Sequence, residues 1–161
     1  MVRFLWIGLI LISSSFPLVS CEEKIEQTVI QGEDGYKRSP LKITTQDGRS
    51  LIFQVEIAKT PEKQSRGLMF RNKMAPDQGM IFIFPDEKNR SFWMRNTYLP
   101  LDIIFLKADG TIINIGAGIP LSEKEVLSDG PAKAAIELNK GTAARLGIRP
   151  GDKVYFPGLN S

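Results

Sequence analysis

The sequence predicts a mainly β protein with a single domain, a sandwich or barrel of about seven short strands with one or two short helices. Two observations predict this fold class. Short apolar runs, several of them alternating with polar residues, recur along the chain, and Gly, Pro, Asp and Asn separate them at intervals of about 8–12 residues. The chain of 161 residues is also long enough to bury a core without disulfide bonds.

The domain is predicted to begin with a β-hairpin and a short helix. Residues 41–45 alternate apolar and polar, an Asp-Gly pair at 47–48 supplies a turn, and the alternation resumes through 51–57. The Thr-Pro-Glu sequence at 60–62 then places a hydroxyl at the N-cap, a proline at the first helical position and an acid in the first turn. We expect Gly67 to end this helix.

The rest of the domain is predicted to consist mainly of further strands. In order, they are residues 80–84, 91–95, 101–106, 111–115, 134–138 and 153–156. The first of these is continuously apolar, which indicates burial on both faces. Residues 85–90 form a polar connection, and residues 116–131, rich in Gly, Pro and Ser, are predicted to form a loop. A single helical turn is expected at 142–146.

The first 20 residues have the features of a secretory signal peptide. Arg3 is a short positively charged region, residues 4–12 are apolar, and residues 13–20 contain small residues and a proline. The apolar run is too short for a permanent membrane-spanning helix, which needs about 20 residues. We therefore assign residues 1–20 to a signal peptide.

The Leu-Val-Ser-Cys sequence at 18–21 resembles the bacterial lipobox, and Cys21 is the only cysteine of the chain. The resemblance implies cleavage before Cys21, a diacylglyceryl group on its sulfur and a fatty acyl chain such as palmitate on its amino group, which together give firm anchoring. Glu22 follows the cysteine in place of the Asp that retains lipoproteins at the inner membrane. The expected location is the periplasmic face of the outer membrane; the alternative is a secreted protein without lipid.

Two further segments follow the signal peptide. Residues 21–39 comprise the lipidated cysteine and a polar stretch with five acids and three bases, a composition that predicts a flexible tether. Residues 40–161 are predicted to form the single β-rich domain, with 17 basic and 13 acidic residues. No apolar span follows the signal peptide.

The composition excludes several kinds of chemistry. Because the chain has no histidine, it cannot contain a Ser-His-Asp triad, an imidazole acid–base catalyst or a histidine metal ligand. A single cysteine excludes an intrachain disulfide and a CxxC pair. The chain has no P-loop and no dinucleotide fingerprint. We predict no cofactor, no metal and no nucleic-acid partner.

The candidate ligand-binding residues lie in a basic segment. Residues 59–95 contain eight basic and four acidic residues, among them Arg66, Arg71 and Arg95. Arginine binds carboxylate and phosphate groups with two parallel hydrogen bonds, so these residues are candidates for binding an anionic ligand. The alternative for Arg66 and Arg71 is a structural ion pair with an acid such as Asp102 or Glu137.

Trp93 and Asn96 complete the candidate ligand-binding set. If Trp93 is exposed beside Arg95, its ring suits stacking against a sugar or another planar group. The alternative is that Trp93 belongs to the core. In a strand, Phe92 and Met94 would share one face and Trp93 and Arg95 the other.

Asp102 and Glu137 are the candidate catalytic residues. Each acid stands between aliphatic residues in a predicted strand, where a charge is unfavourable unless it is paired or exposed. If the two carboxyl groups converge, they could serve as a general acid and base. The alternative is that both side chains point to solvent while their neighbours point inward.

The same segments carry a family resemblance. The sequences RGLMFR, GMIFIFP, FWMRNTYLPLDIIF, IELNKG and GIRPGDKV, in this order, resemble domain-of-unknown-function family 192 over residues 41–154. The resemblance implies a compact, mainly β domain, often exported, with no agreed biochemical activity. Where the family commonly has Leu-Glu-Leu, this chain has Ile136-Glu137-Leu138.

These observations favour a lipid-anchored envelope protein that acts as a binding or accessory module for an anionic, saccharide or protein ligand. An enzyme is the less favoured class. As an enzyme, the protein would be a hydrolase or lyase of envelope material that uses Asp102 and Glu137, and this requires the two carboxyl groups to lie within about 10 Å of each other in one cleft. A third possibility is a structural accessory whose family residues serve only the fold.

Overall fold

The structure is a computed structural model that describes residues 30–31 and 35–159. Ten strands and two short helices follow one another in this part of the chain. They are β1 (Ile30–Gln31), β2 (Lys37–Thr44), β3 (Ser50–Ala58), α1 (Pro61–Arg66), β4 (Gln78–Lys88), β5 (Ser91–Phe92), β6 (Leu101–Leu106), β7 (Ile112–Gly118), β8 (Val126–Leu127), β9 (Ala132–Asn139), α2 (Thr142–Leu146) and β10 (Lys153–Tyr155).

The main sheet has the order β1-β2-β3-β4-β9-β6-β7, and β10 pairs with β2. The pair β3–β4 is parallel, and the other pairs of this sheet are antiparallel. The sheet curls, so that β10 also contacts the opposite end: Thr111 forms a bridge with Lys153, and the amide of Val154 donates to the carbonyl of Gly110 at 2.8 Å. The predicted mainly β class is confirmed.

The helix α1 begins and ends where the sequence predicts. The Thr60 hydroxyl accepts a hydrogen bond from the amide of Lys63 at 3.4 Å, and Pro61 is the first helical residue. The amide of Gly67 bonds to the carbonyl of Lys63 and ends the helix. Because β3 and β4 are parallel, the chain must cross from one end of the sheet to the other, and α1 lies in that crossover.

Several predicted boundaries differ from those in the structure. The strand β4 continues to Lys88 through an irregularity in its pairing with β9, so much of the predicted polar connection belongs to a strand. Only Ser91 and Phe92 of the predicted strand 91–95 are in a strand, and the predicted loop 116–131 contains β8. The strand β2 begins at Lys37, before the predicted start of the domain, and Tyr36 beside it is buried.

Two hydrophobic cores lie on opposite faces of the sheet. The first core is closed by β10 and α2 and includes Ile136, Leu138 and Val154. The second core lies on the other face and includes Phe82 and Ile103. Leu68, Met94 and Leu99, from the loops after α1 and β5, cover this second core. The alternation of β4 and β9 explains the division, because neighbouring residues of a strand face opposite sides.

The predicted signal peptide and Cys21 lie outside the described residues, as does most of the predicted tether. In the part of the chain that the structure describes, no helix is both long and apolar enough to cross a bilayer.

Candidate functional site

A cleft of about 450 Å³ opens over the second core. One wall is the C-terminal part of α1 with the residues that follow it, and the other is the segment from Asn89 to Trp93. Side chains of β4 and β9 form the floor. The lining is part aromatic and part polar: it includes Gln64, Ser65, Arg66, Gly67, Phe82, Phe84, Asn89, Arg90, Ser91, Phe92, Trp93, Thr97 and Glu137.

Glu137 is the acid on the floor of this cleft. It is 5% exposed, and its Oε2 atom has no hydrogen-bond partner among the described residues. Burial raises the pKa of Glu137 to about 8, against the opposing effect of the positive charge on Arg71. At neutral pH the side chain is therefore mainly an uncharged carboxylic acid, which can donate a hydrogen bond as well as accept one.

Gly67 brings the end of α1 close to this carboxyl group. Its φ of 48° and ψ of −134° are a backbone conformation that side chains rarely adopt. A Cβ atom at this position would lie 3.3 Å from Cζ of Phe82 and 3.9 Å from Oε2 of Glu137. The absence of a side chain at Gly67 thus lets the backbone at the end of α1 pass close to Phe82 and to the Glu137 carboxyl group.

The nearby arginine Arg71 is held by Glu56. Its guanidinium donates to both carboxylate oxygens of Glu56, at 2.8 and 2.6 Å, and Arg38 donates to Oε1 of the same group at 2.9 Å. Glu56 is buried on the same face of the sheet as Glu137, since both residues are in register with Met80 between them. The structural alternative for Arg71 therefore holds, but its partner is Glu56 and not Asp102 or Glu137.

Asp102 has no part in the cleft. Its neighbour in register on β9 is Leu138, whose side chain is in the first core, whereas Glu137 is in register with Ile103 in the second core. The two acids therefore lie on opposite faces of the sheet. The hypothesis of a catalytic carboxylate pair is wrong, because no substrate bond can lie between groups that the sheet separates.

Asp102 instead holds the start of α2. Its two carboxylate oxygens accept hydrogen bonds from the amides of Gly141 and Ala143, at 3.1 and 2.9 Å. These amides are among the helical N–H groups that lack a partner within the helix. The expectation that Asp102 and Glu137 point to solvent is also wrong, because both are buried.

Of the predicted ligand-binding residues, Arg66 and Trp93 line the cleft. Arg66 is exposed, and its side chain makes no ion pair within the described residues. Trp93 is 52% exposed, so it is a surface residue and not a core one. The predicted division of faces agrees with this, since Met94 beside it is buried.

Arg95 and Asn96 lie beside the cleft and not in its lining. The Arg95 guanidinium is 5.9 Å from the ring of Trp93 and 3.8 Å from the carboxylate of Glu123, and both charged groups are largely exposed. The carbonyl of Asn96 accepts a hydrogen bond from the amide of Phe70 at 2.8 Å. Asn96 therefore joins the loop after β5 to the loop after α1.

These loops concentrate backbone strain at one end of the domain. Among the described residues, the non-glycine residues with positive φ are Phe70, Asn96 and Leu121, at 66°, 57° and 60°. The three lie in neighbouring loops, because Phe70 bonds to Asn96 and the amide of Leu121 donates to the carbonyl of Thr97 at 3.0 Å. Such conformations persist where the surrounding structure enforces them, and they are frequent at functional sites.

The structure adds Phe82, Phe84 and Arg90 to the residues that the sequence indicated for the site. The ring of Phe92 packs edge-on against Phe82, Phe84 and Phe105. The guanidinium of Arg90 lies 4.0 Å from the ring centre of Phe84 and 2.6 Å from the Asp86 carboxylate. Arg90, like Arg71, therefore has a structural role, and its contacts fix the wall of the cleft that carries Trp93. The alternation of aromatic residues in 80–84 was the available signal for Phe82 and Phe84.

In the described part of the chain, no group of three or more acids and cysteines is arranged to hold a metal ion. The acids near the cleft are instead engaged one by one. Glu56 binds two arginines, and Asp86 binds Arg90 and Lys88. Among these described acids, only Glu137 has a buried carboxyl oxygen without a hydrogen-bond partner, and this residue lines the cleft.

Two solved structures are similar to this chain in both fold and sequence. A crystal structure of a proposed transcription regulator from Sinorhizobium meliloti 1021 has 42% sequence identity and a TM-score of 0.74, with 77% of this chain and 97% of that chain covered. A protein of unknown function from Novosphingobium aromaticivorans DSM 12444 has 41% identity and a TM-score of 0.74, with 81% and 92% covered. No curated protein matches.

The family comparison covers the whole sheet except β1 and the start of β2. Residues 42–156 match family DUF192, described as an uncharacterized ACR. The match contains α1, Gly67, Glu137 and Trp93, so the cleft lies within the family domain. The resemblance carried by the sequence motifs is confirmed, and the chain belongs to family DUF192.

Proposed function

We propose that the protein is a binding module of the cell envelope, and that a saccharide ligand binds in the cleft between α1 and the 89–93 segment. The observation that carries the proposal is Glu137, a nearly buried acid that lines this cleft and whose Oε2 atom has no hydrogen-bond partner among the described residues. A buried polar group of this kind is costly unless a ligand or water satisfies it.

The rest of the lining fits a sugar. The half-exposed ring of Trp93 offers a flat apolar surface for the C–H face of a pyranose, and Phe92 extends the apolar floor. Asn89 adds an amide group at one wall. Gln64 and Ser91 also line the cleft but bond within the protein, Gln64 to the carbonyls of Ala58 and Ile83 and Ser91 to Glu125. Ligand sites commonly combine an apolar lining with a few polar groups that fix orientation.

The Sinorhizobium meliloti relative is described as a proposed transcription regulator, but we do not propose nucleic acid as the ligand of this chain. Phosphate-backbone binding needs several available cations on one surface. Within the basic segment, however, Arg71 is bonded to Glu56 and Arg90 to Asp86.

Trp93 makes the ligand proposal directly testable. The chain has two tryptophans, and the other one, Trp6, lies in the proposed signal peptide. In the processed protein, Trp93 fluorescence therefore reports the cleft alone. We expect envelope sugars such as N-acetylglucosamine or N-acetylmuramic acid to change the emission in a saturable way and to raise the Tm. If no neutral or acidic sugar does either at millimolar concentration, the cleft is not a saccharide site.

The envelope location rests on the sequence at 18–21, and we propose a lipid anchor on Cys21 facing the periplasm at the outer membrane. We expect Cys21→Ser to release the protein from the membrane fraction, because serine cannot carry the proposed lipid and the acyl chains supply the membrane affinity. Glu22→Asp is the matched control: it keeps the anchor and should move the protein to the inner membrane. If Cys21→Ser still sediments with membranes, the anchor proposal is wrong.

A further inference from the structure

The charges around the cleft are unequal, and this bears on which sugars it can bind. Besides Glu137, the charged side chains in or next to the cleft include Arg66 from α1, Arg71 from the following loop, Glu56 from β3 and Arg90 from the 89–93 wall. The facing residues of β4 and β6 are apolar, including Phe82 and Ile103.

Most of these charges cancel in pairs. Glu56 is bonded to Arg71 and to Arg38, and Arg90 is bonded to Asp86 at 2.6 Å. Glu137 is mainly uncharged near neutral pH because burial raises its pKa to about 8. Among the described residues that line the cleft, Arg66 is therefore the cation without a partner acid.

Arg66 and Glu137 are close enough to contact one small ligand. Arg66 immediately precedes Gly67 in the chain, and a Cβ on Gly67 would be 3.9 Å from Oε2 of Glu137. The Cα atom of Arg66 is consequently within about 9 Å of this oxygen. A ligand in the cleft can therefore lie near both residues. The carboxylic acid can donate a hydrogen bond to a ligand oxygen, while the guanidinium can bind a carboxylate through two N–H groups.

We propose that the ligand is an acidic saccharide, with its carboxylate on Arg66, an oxygen acceptor on the Glu137 carboxyl group and its ring on Trp93. This inference rests on the proposed saccharide function and specifies its substrate class. A neutral sugar would leave Arg66 unused. A cationic sugar would meet an unpaired positive charge at the entrance.

The test compares neutral sugars with acidic relatives, one pair differing only at C6 and the other by a lactyl ether that carries the carboxylate. Trp93 fluorescence is titrated with glucose and glucuronate, and with N-acetylglucosamine and N-acetylmuramic acid, using the processed protein in detergent at pH 6.5. We expect the acidic member of each pair to bind at least about tenfold more tightly, the scale of one charge-assisted contact. Arg66→Gln should reduce this preference to less than about threefold.

Arg145→Gln is the matched control, because Arg145 is also an exposed arginine in the last turn of a short helix, α2. It should keep the full preference. Equal binding of neutral and acidic sugars, or the same small effect in both arginine variants, would overturn the acidic-ligand inference while the saccharide function stands. If no sugar of either kind binds, both proposals fail together.

Discussion

Gly67 lies directly over the carboxyl group of Glu137: a Cβ atom on the glycine would be 3.9 Å from Oε2. The two residues belong to different parts of the chain, one at the end of a short helix and the other in the middle of β9. Both residues line the cleft. A glycine is required here for two reasons, the space above the acid and the backbone conformation at the end of α1.

Gly67→Ala should therefore weaken ligand binding and lower stability. The methyl group would lie 3.3 Å from Cζ of Phe82, and the φ of 48° adds strain of about 1–2 kcal/mol. Urea unfolding and Trp93 titration measure the two effects. Gly48→Ala is the control, since Gly48 also has positive φ, 83°, but open space around its Cβ position. The interpretation fails if both variants bind sugar as the wild type does.

Glu137→Gln should flatten the pH dependence of stability. Because burial raises the pKa of Glu137 from 4.5 to about 8, the folded chain holds an extra proton between these pH values. The contribution of Glu137 to the free energy of unfolding is fully present below this window. It is lost as pH rises through the window, by up to roughly 5 kcal/mol. The uncharged amide removes this dependence and should make the protein more stable at pH 8.

Urea unfolding at pH 5, 6.5 and 8 measures this effect. The exposed Glu123 serves as the comparison, and Glu123→Gln should leave the slope between pH 5 and 8 as it is in the wild type. An unchanged slope in Glu137→Gln would mean that the acid is ionised in the folded protein, in contradiction to its burial.

Asp102→Ala should destabilise the domain without affecting the cleft. The substitution leaves the amides of Gly141 and Ala143 without their carboxylate partner, which costs about 1–3 kcal/mol for buried groups. Sugar affinity, measured under conditions where the variant is folded, should equal that of the wild type. A loss of sugar binding comparable to that expected for Gly67→Ala would mean that Asp102 contributes to the site, in contradiction to its assignment to the opposite face.

Glu56→Gln should be among the most damaging single changes. It leaves Arg71 and Arg38 facing a neutral side chain beside the second core, and breaking a buried ion pair costs about 3–5 kcal/mol. Asp109→Asn is the control, since it breaks the exposed pair with Lys153 and should cost at most about 1 kcal/mol. Similar losses of unfolding free energy in the two variants would show that the Glu56 pair is not a buried one in solution.

The local elements were predictable where one short sequence decides the structure. Thr60 and Pro61 start α1, and Asp109-Gly110 turns β6 into β7, because capping and turn chemistry act within a few residues. The site was predictable only in part. Trp93, Arg66 and Glu137 were identified as candidates by residue type, but their convergence depends on strand order and on the crossover between β3 and β4.

The wrong predictions about the two acids have one common cause. Asp102 and Glu137 have the same local pattern, an acid between aliphatic residues, and the pattern cannot report the register of β6 against β9. A shift of one residue moves a side chain to the other face of a sheet. For the same reason Glu56 was not foreseen as the partner of Arg71, since their pairing joins β3 to the loop after α1.

The single parallel pair in the sheet, β3 with β4, has a consequence for how this family could diversify. The crossover it imposes runs from residue 59 to residue 77 and carries Arg66 and Gly67, whereas the sheet supplies the acid at the bottom. The same crossover carries Leu68 into the second core and Arg71 onto Glu56, so part of it is needed for the stability of the fold. Under the proposed function, changes at its exposed residue Arg66 alter ligand preference while every strand pairing stays in place, whereas an exchange of the whole crossover between relatives must keep Leu68 and Arg71.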